Sequence, residues 1–278
     1  KLGKNSTLPV SVSAKSKRKP SASSAIQAGA VSLGIIWTRY GRMELSKRLQ
    51  AVAALATAGY ITADIGTDHA YIPIYLVKHG VIPSAFAMDL YEGPLVRARE
   101  HVEENGLSDR IELRLSDGLC ALRPGEAETA VLAGMGGGLM IRILKNSPDV
   151  TAGMKEFILQ PQSEIARVRA FLLEEGFLFV REDMVLEDGK FYPMMKVRTF
   201  GERNSHSECW SDVEIRYGKY LLERRHPVLK AFLEREMSLK SEILKGLEGQ
   251  SSEKALRRFG ELKEELEYVR KGLDYYAM

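Results

Sequence analysis

The chain has 278 residues, 45% of them apolar, which is enough for one large domain or for one domain with an appendage. Its formal net charge of +3 comes from residues 1 to 42, which carry eight Lys or Arg and no Asp or Glu. No apolar run is long enough to span a membrane, and the two cysteines and five histidines show no metal-ligand spacing. These features argue against membrane, disulfide-rich and zinc-binding classes. They predict a reduced, metal-free cytoplasmic protein with both cysteines buried.

Residues 1 to 42 have the Ser-, Lys- and Ala-rich composition of a disordered basic arm or an organelle transit peptide. Their apolar stretch from Ala25 to Trp37 is interrupted by a glutamine and two glycines, and no small-residue cleavage site follows it. This arrangement disfavours a secretory signal. We therefore expect an unfolded basic extension ahead of a folded protein that begins at Met43.

From Met43 to residue 202, short β-rich runs alternate with helical patterns, which predicts an α/β domain with a mainly parallel sheet and helices on both faces. Strands are predicted over residues 60–64, 85–89, 111–115, 129–133 and 157–160. Helices are predicted over residues 44–58, 70–80, 93–106, 137–145 and 164–176. Alternating residues on either side of Asp188 and Gly189 predict a closing β-hairpin.

Residues 203 to 278 are predicted to form an α-helical hairpin of coiled-coil type. Two long helical patterns, 211–248 and 252–275, are separated by "GQSS". Apolar residues repeat at coiled-coil spacing in both patterns, and Leu239 and Ile243 belong to the predicted facing stripe. Pro227 is expected to begin or kink a helix rather than lie inside one.

Acidic residues or glycines follow four consecutive predicted strands. In an open parallel sheet, ligands bind beyond the carboxyl ends of the strands, so these positions are candidates for a binding site. Any one of them is explained by a turn or a helix cap, but four in succession favour a ligand site. The candidates are Asp64, Gly66, Asp89, Leu90, Asp117, Gly118, Gly134, Met135, Gly136 and Gly137.

The stretch "ADIGTDHAYIP" distinguishes between nucleotide ligands. A dinucleotide site needs a second glycine close to the pyrophosphate, and here Thr67 and Asp68 occupy that region. Carboxylates at Asp64 and Asp68 repel phosphate but attract a cofactor that carries an ammonium and a sulfonium group. Asp89 is placed to bind ribose hydroxyls, and Asp117 to accept a hydrogen bond from an adenine amino group. The pattern therefore predicts an S-adenosylmethionine site.

A family resemblance rests on six segments that occur in order: "MELSKRLQAVAAL", "ADIGTDHAYIPIYLVKHG", "AMDLYEGPLVRARE", "LSDGL", "LAGMGGGLM" and "ILQPQSE". Together they resemble the bacterial tRNA adenine-N1 methyltransferase family that modifies adenosine 22 of the D-arm, and the resemblance covers residues 43 to 278. It implies a class I methyltransferase (Rossmann-like) fold, S-adenosylmethionine as methyl donor and tRNA as acceptor. It also implies cofactor contacts by Asp64, Gly66, Asp68, Asp89, Asp117 and the turn from Gly134 to Gly137.

The segment "AGMGGG" stands where many amino-group methyltransferases place N-P-P-Y. A ring nitrogen such as adenine N1 already has an in-plane lone pair, so it needs alignment with the methyl group more than it needs a strong base. Asp68, His69 and Tyr71 are the predicted catalytic groups nearest the reacting centre. The open alternatives are that Asp68 caps the next helix, that His69 bonds to backbone at the helix start and that Tyr71 is a packing ring.

RNA binding requires local Lys and Arg, and residues 203 to 278 hold 15 of them with a net charge of +1, against −6 for residues 43 to 202. The predicted RNA contacts are Lys47, Arg48, Gln160, Gln162, Arg224, Arg225 and Lys230. Exposed ion pairs, a strand-ending turn at "QPQ" or a dimerising hairpin explain the same residues. The oligomeric state stays open. Two other functions also stay open, a methyltransferase for small molecules or proteins and a non-catalytic RNA-binding protein.

Overall fold

The computed structural model describes residues 35–37, 43–199 and 209–277. The strands in these segments are β1 (Ile35–Trp37), β2 (Met43–Leu45), β3 (Thr62–Ile65), β4 (Ala85–Asp89), β5 (Ile111–Leu115), β6 (Thr129–Met135), β7 (Glu156–Pro161), β8 (Leu178–Glu187) and β9 (Lys190–Arg198). The helices are α1 (Lys47–Ala53), α2 (Tyr71–Lys78), α3 (Glu92–Glu104), α4 (Gly137–Asn146), α5 (Pro148–Gly153), α6 (Ile165–Glu174), α7 (Asp212–Tyr217), α8 (Lys219–Glu223), α9 (Pro227–Leu247) and α10 (Glu253–Asp274).

The predicted basic extension falls almost entirely outside the described residues. Its three described residues form β1, which pairs antiparallel with β2. The predicted domain boundary near residue 202 also lies outside the described residues.

The remaining seven strands form one sheet in the order β5-β4-β3-β6-β7-β9-β8. The five strands from β5 to β7 run parallel, and β9 is antiparallel to both of its neighbours. Because the strands are parallel, the carboxyl ends of β3 to β6 lie at one edge of the sheet. The strand order reverses between β3 and β6, which is where ligands bind in open sheets of this kind. The predicted α/β fold with its closing hairpin is confirmed.

Helices cover both faces of the sheet. The buried residues of α1, α2 and α3 pack on one face, and those of α4, α5 and α6 pack on the other. Every residue of β3 and β7 is buried, as expected for strands covered on both sides. Within the described segments, no helix is both long and apolar enough to cross a membrane.

The β8–β9 turn lies where the sequence predicts it. Asp188 and Gly189 both have left-handed backbone angles, with φ of 49° and 72°, as a two-residue hairpin turn of the primed type requires. β9 pairs with β7 only as far as Met195, opposite Leu159. The first part of β9 and the turn therefore project past this pairing, at the same edge where the parallel strands end.

The C-terminal region departs from the predicted helix over 211–248, which is divided into α7, α8 and α9. Left-handed angles at Gly218 (φ 97°) and Arg225 (φ 50°) interrupt it, and α9 then begins at Pro227. α9 and α10 are joined by a short turn and pack around buried Leu233 and Leu262.

Four side chains differ from their predicted burial. Leu239 and Ile243 are 45% and 50% exposed, so their assignment to the stripe between the two helices is wrong. Cys120 and Cys209 are both exposed, which contradicts the expectation that the cysteines are buried.

A buried ion pair fixes the C-terminal helices to the sheet. Arg169 of α6 donates from Nε to Glu182 of β8 at 2.7 Å, and both side chains are almost completely buried. The same guanidinium donates from Nη1 to the carbonyl oxygens of Ile215 and Arg216 at the end of α7. A Cβ on Gly218 would lie 2.7 Å from the Glu182 carboxylate, so this junction has room only for glycine.

Candidate active site

Backbone hydrogen bonds connect the loops that follow β3, β4 and β5. Gly66 and Thr67 donate to the carbonyl oxygen of Met88 at 2.8 and 2.9 Å, and Ser116 donates to that of Asp89 at 2.8 Å. These loops carry the predicted cofactor residues, and we call this region the cofactor half: Asp64, Gly66, Asp68, Asp89, Leu90, Asp117 and Gly118.

The cofactor half concentrates negative charge. Burial, together with the nearby charge of Asp89, raises the pKa of Asp64 to about 6. Burial also raises the pKa of Asp89, whose carboxylate accepts a hydrogen bond from the backbone N–H of Tyr91 at 2.8 Å. Carboxylates in this state are stabilised by a cationic ligand. Beside them, Leu90 and Tyr91 leave apolar surface exposed, which suits a flat aromatic ligand.

Two glycines allow the backbone to approach this space closely. Gly66 has a φ of 75°, and a Cβ there would lie 3.0 Å from Cε of Met135. Gly118 has a φ of 61°, and a Cβ there would lie 2.8 Å from Cγ2 of Ile143. Gly118 therefore requires glycine, because a side chain would be strained and would collide with Ile143, whereas at Gly66 the left-handed backbone angle is the reason that glycine is favoured. The contact with Met135 also brings the β6 loop against the β3 loop.

The predicted catalytic residues lie together beside α3. The Asp68 carboxylate forms an ion pair with Arg97 and lies 3.4 Å from Nε2 of His69. The rings of His69 and Tyr71 stack with centroids 4.7 Å apart, and each also stacks on His101. Burial lowers the pKa of His69 and raises the pKa of Tyr71 to about 12, so both rings are neutral near pH 7.

The structure excludes a capping role for Asp68 in this loop. The N-cap of α2 is Ala70 with a left-handed backbone, and no side chain caps the helix, so the N-cap interpretation of Asp68 is wrong. Its carboxylate is held by Arg97 instead. The backbone carbonyl of His69 accepts a hydrogen bond from Nδ1 of His101, whereas its own Nδ1 is buried without a partner among the described residues.

Other predicted ligand residues group around Arg48 of α1, in a region that we call the acceptor half. Nη1 of Arg48 donates at 3.0 Å to Oε1 of Gln160, which also accepts the Gly134 N–H at 3.1 Å. The Arg48 guanidinium lies over the Tyr192 ring, 5.6 Å from its centroid. Gln160 is completely buried, so its position suits support of Arg48 and the glycine turn rather than contact with a ligand.

The glycine turn after β6 packs against the loop after β7. Gly134 has a φ of 81° at a break in the regular pairing of β6 with β7. Gly137 donates to the carbonyl oxygen of Ser163, and a Cβ on Gly137 would lie 2.7 Å from that oxygen. Gln162 is exposed, and its Nε2 would lie 3.7 Å from a Cβ on Gly134. The loop after β7 thus places the Gln162 amide near Arg48, with both side chains beside Gly134.

Known proteins share both the sequence and the fold. Residues 45–195 match the family model for a methyltransferase domain. The chain is 32% identical over 238 residues to the tRNA (adenine(22)-N(1))-methyltransferase of Bacillus subtilis (strain 168), and the match covers 84% of this chain and 98% of that protein. The chain belongs to the tRNA (adenine(22)-N(1))-methyltransferase family.

Solved structures of this family extend the match to the C-terminal helices. The B. subtilis m1A22 tRNA methyltransferase TrmK is 30% identical with a TM-score of 0.72, over 83% of this chain and 99% of that one. M. capricolum TrmK, in complex with S-adenosyl-homocysteine, is 27% identical with a TM-score of 0.70, over 83% of this chain and 98% of that one. The predicted class I methyltransferase fold is therefore confirmed.

The remaining predicted RNA contacts occupy two separate places in this family member. Lys47 begins α1, where its backbone N–H donates to Glu187 beside the β8–β9 turn. Arg224, Arg225 and Lys230 are exposed at the bend between α8 and α9, and Lys230 lies 3.7 Å from Glu234.

Sequence reasoning missed Arg97, His101 and Tyr192. Arg97 and His101 lie four residues apart on the helix that follows Asp89, and this spacing on one helix face was an available signal. Tyr192 offered no such signal, because its alternating pattern is common to the whole β-hairpin. Its contact with Arg48 depends on two segments that are far apart in the chain.

Proposed function

We propose that this protein transfers a methyl group from S-adenosylmethionine to N1 of an adenine in tRNA, at position 22 of the D-arm, in the cytoplasm. The proposal rests on the arrangement of charged side chains at one edge of the sheet, where acidic and basic groups occupy different halves. Carboxylates line the cofactor half, and Arg48 with the Gln162 amide lines the acceptor half. The relatives support the same reaction, since they are named for it and one of them holds S-adenosyl-homocysteine.

The residues of the cofactor half fit S-adenosylmethionine. Asp89 would bind the ribose hydroxyls, Asp117 would accept from the adenine amino group, and exposed Leu90 would cover the adenine ring. Buried Asp64 and exposed Asp68 would attract the ammonium and sulfonium groups. When bound, this cofactor supplies an electrophilic methyl group on sulfur.

The acceptor half then has to place adenine N1 in line with that methyl group. The N1 lone pair forms the new bond as the carbon–sulfur bond breaks, so no proton has to leave and no general base is required. Arg48, held by Gln160 and Tyr192, and the Gln162 amide would orient the base. Because positive charge moves from sulfur to the adenine ring, we assign Asp68, with neutral His69 and Tyr71, to stabilising that charge in the transition state.

Methyl transfer to defined tRNAs tests this function. With S-adenosylmethionine labelled in the methyl group, we expect 1-methyladenosine at position 22, and no label in a matched tRNA that has guanosine there. Label in proteins or small molecules but not in tRNA would support the alternative of a methyltransferase that acts on small molecules or proteins. Failure to bind S-adenosylmethionine in calorimetry would support the non-catalytic RNA-binding alternative.

A further inference from the structure

A cleft of about 460 Å³ lies between the β8–β9 turn and α9, next to the acceptor half. Its volume is within the range of sites that hold small ligands. The residues that matter for its chemistry are Gln162, Lys190, Phe191, Tyr192, Phe232 and Arg235.

The cleft is continuous with the proposed position of the target base. Gln162 forms its inner end and lies beside the Gly134 turn. Tyr192 lines the cleft and also lies under the Arg48 guanidinium. A molecule bound in the acceptor half would therefore lie next to this cleft.

Aromatic rings form the apolar part of the cleft. Phe191 and Phe232 pack edge to face with centroids 5.3 Å apart, and both are only half-buried, as is Tyr192. Single-stranded nucleic acids bind to such surfaces because each base can stack on an exposed ring, whatever its sequence.

The cations of the cleft are available for phosphate. Within the described part of the chain, Lys190 and Arg235 take part in no ion pair. Arg235 donates to the Gly189 carbonyl at 3.0 Å, and its guanidinium lies over the Phe191 ring, 5.8 Å from the centroid. The carboxylate of Glu236, which also lines the cleft, forms an ion pair at 2.9 Å with Lys240, which also pairs with Glu265 at 2.6 Å. The cleft therefore combines an aromatic surface with the two cations Lys190 and Arg235, a combination to which single-stranded nucleic acids bind.

We propose that this cleft binds the nucleotide next to the target adenosine, with its base against Phe191 and its phosphate on Lys190 and Arg235. The proposal rests on the proposed function and deepens it. An adenosine in the folded D-arm must leave its stack to reach the methyl group, and its neighbour then loses a stacking partner. The cleft replaces that partner and holds the opened strand beside the reacting base.

The phosphate contacts are tested with the double variant Lys190→Ala/Arg235→Ala. We expect KM for tRNA to rise about tenfold and the salt dependence of tRNA binding to flatten by about two units, one for each lost contact. Cofactor affinity should not change. The matched control is Lys155→Ala/Arg198→Ala, which removes the same charge from exposed positions at the opposite edge of the sheet, Arg198 being at the other end of β9. Equal salt slopes for the two double variants would overturn the phosphate contacts.

The base contact is tested by measuring kcat/KM of the wild-type and Phe191→Leu proteins with intact tRNA and with two abasic tRNAs. One abasic tRNA lacks the base before the target adenosine, and the other lacks the base after it. Removing the stacked base should lower kcat/KM of the wild-type protein about tenfold at one of the two positions. Phe191→Leu should lose about as much with intact tRNA and nothing further with that abasic tRNA, because both changes remove one interaction. Losses that multiply, or no loss at either position, would overturn the subsite. If the wild-type protein does not methylate intact tRNA, the proposed function itself fails.

Discussion

The two halves of the site share one sheet edge but differ in charge and in origin. The cofactor half comes from three consecutive loops after β3, β4 and β5, and its side chains are mostly acidic. The acceptor half combines the loops after β6 and β7 with α1 and the β8–β9 turn, and a cation lies at its centre. On this assignment, loops after the parallel strands contribute to both halves, and only the proposed acceptor half also uses segments from outside those strands, namely α1 and the β8–β9 turn.

The acceptor half also depends on how the C-terminal helices are attached. Arg235 of α9 reaches the β8–β9 turn, and the Arg169–Glu182 pair fixes α7 to the sheet. Because both charges of that pair are buried, loss of one partner would leave the other uncompensated. The cleft is therefore positioned by contacts outside the site itself.

The largest effect should come from Arg48→Ala. We expect kcat/KM for tRNA methylation to fall about a hundredfold with unchanged cofactor affinity, because a misplaced target base loses alignment with the methyl group. Arg99→Ala, which removes an exposed arginine of α3, is the control. If the Arg48→Ala protein binds the cofactor weakly but methylates tRNA normally at saturating cofactor, Arg48 contacts the cofactor and its assignment to the acceptor half is wrong.

Asp89→Ala should weaken binding of the cofactor rather than use of the tRNA. Loss of a charged acceptor for the ribose hydroxyls should weaken S-adenosylmethionine binding by about 1.5 to 3 kcal/mol, or roughly ten- to a hundredfold in calorimetry. Affinity for tRNA should not change. Asp109→Ala, an exposed acid before β5 at the other edge of the sheet, is the control. Unchanged cofactor affinity in a folded Asp89→Ala protein would remove this residue from the site.

Cofactor binding should also weaken in acid. The Asp64 pKa of about 6 means that this carboxylate is mostly protonated at pH 5, so affinity should fall up to about tenfold between pH 7 and pH 5. The stability of the protein without cofactor should depend on pH in the opposite direction. Between pH 3.8, the ordinary pKa of an aspartate, and about pH 6, Asp64 keeps a proton in the folded state that it has released in the unfolded state. The free energy of unfolding therefore falls as the pH rises through this range.

Asp64→Asn provides the control for the pH series. This variant should bind the cofactor more weakly at pH 7 and should lose most of the dependence on pH. Equal wild-type affinity at pH 5 and pH 7 would contradict the assignment of Asp64 to the cofactor.

The smallest effect is expected at the α8–α9 bend. Changing Arg224, Arg225 and Lys230 to Ala should weaken tRNA binding about fivefold at moderate salt and flatten its salt dependence by up to about three units. Lys230 should contribute least, because it lies near Glu234. The control changes three exposed cations of the methyltransferase domain to Ala, namely Lys78, Arg123 and Lys145. Two results together would favour a dimerising hairpin. The salt dependence of tRNA binding would be unchanged in the triple variant, and truncation after Gly201 would change the oligomeric mass of the protein in solution.

The sequence by itself determined the features that depend on residues close together in the chain. The β8–β9 turn follows from Asp188 and Gly189, and the start of α9 follows from Pro227. Acids and glycines after successive strands marked the carboxyl edge, because each of these residues is placed by its own strand. The family motifs are local in the same way.

Tertiary structure decided the contacts between remote segments. Arg48 meets Gln160 across 112 positions, and it meets Tyr192 only because α1 and the β-hairpin pack on the same part of the sheet. Leu239 and Ile243 have coiled-coil spacing, yet the orientation of α9 against α10 leaves them exposed. A local pattern defines a strand, a helix or a turn, but the side of each element that meets a given neighbour depends on the packing of the whole core.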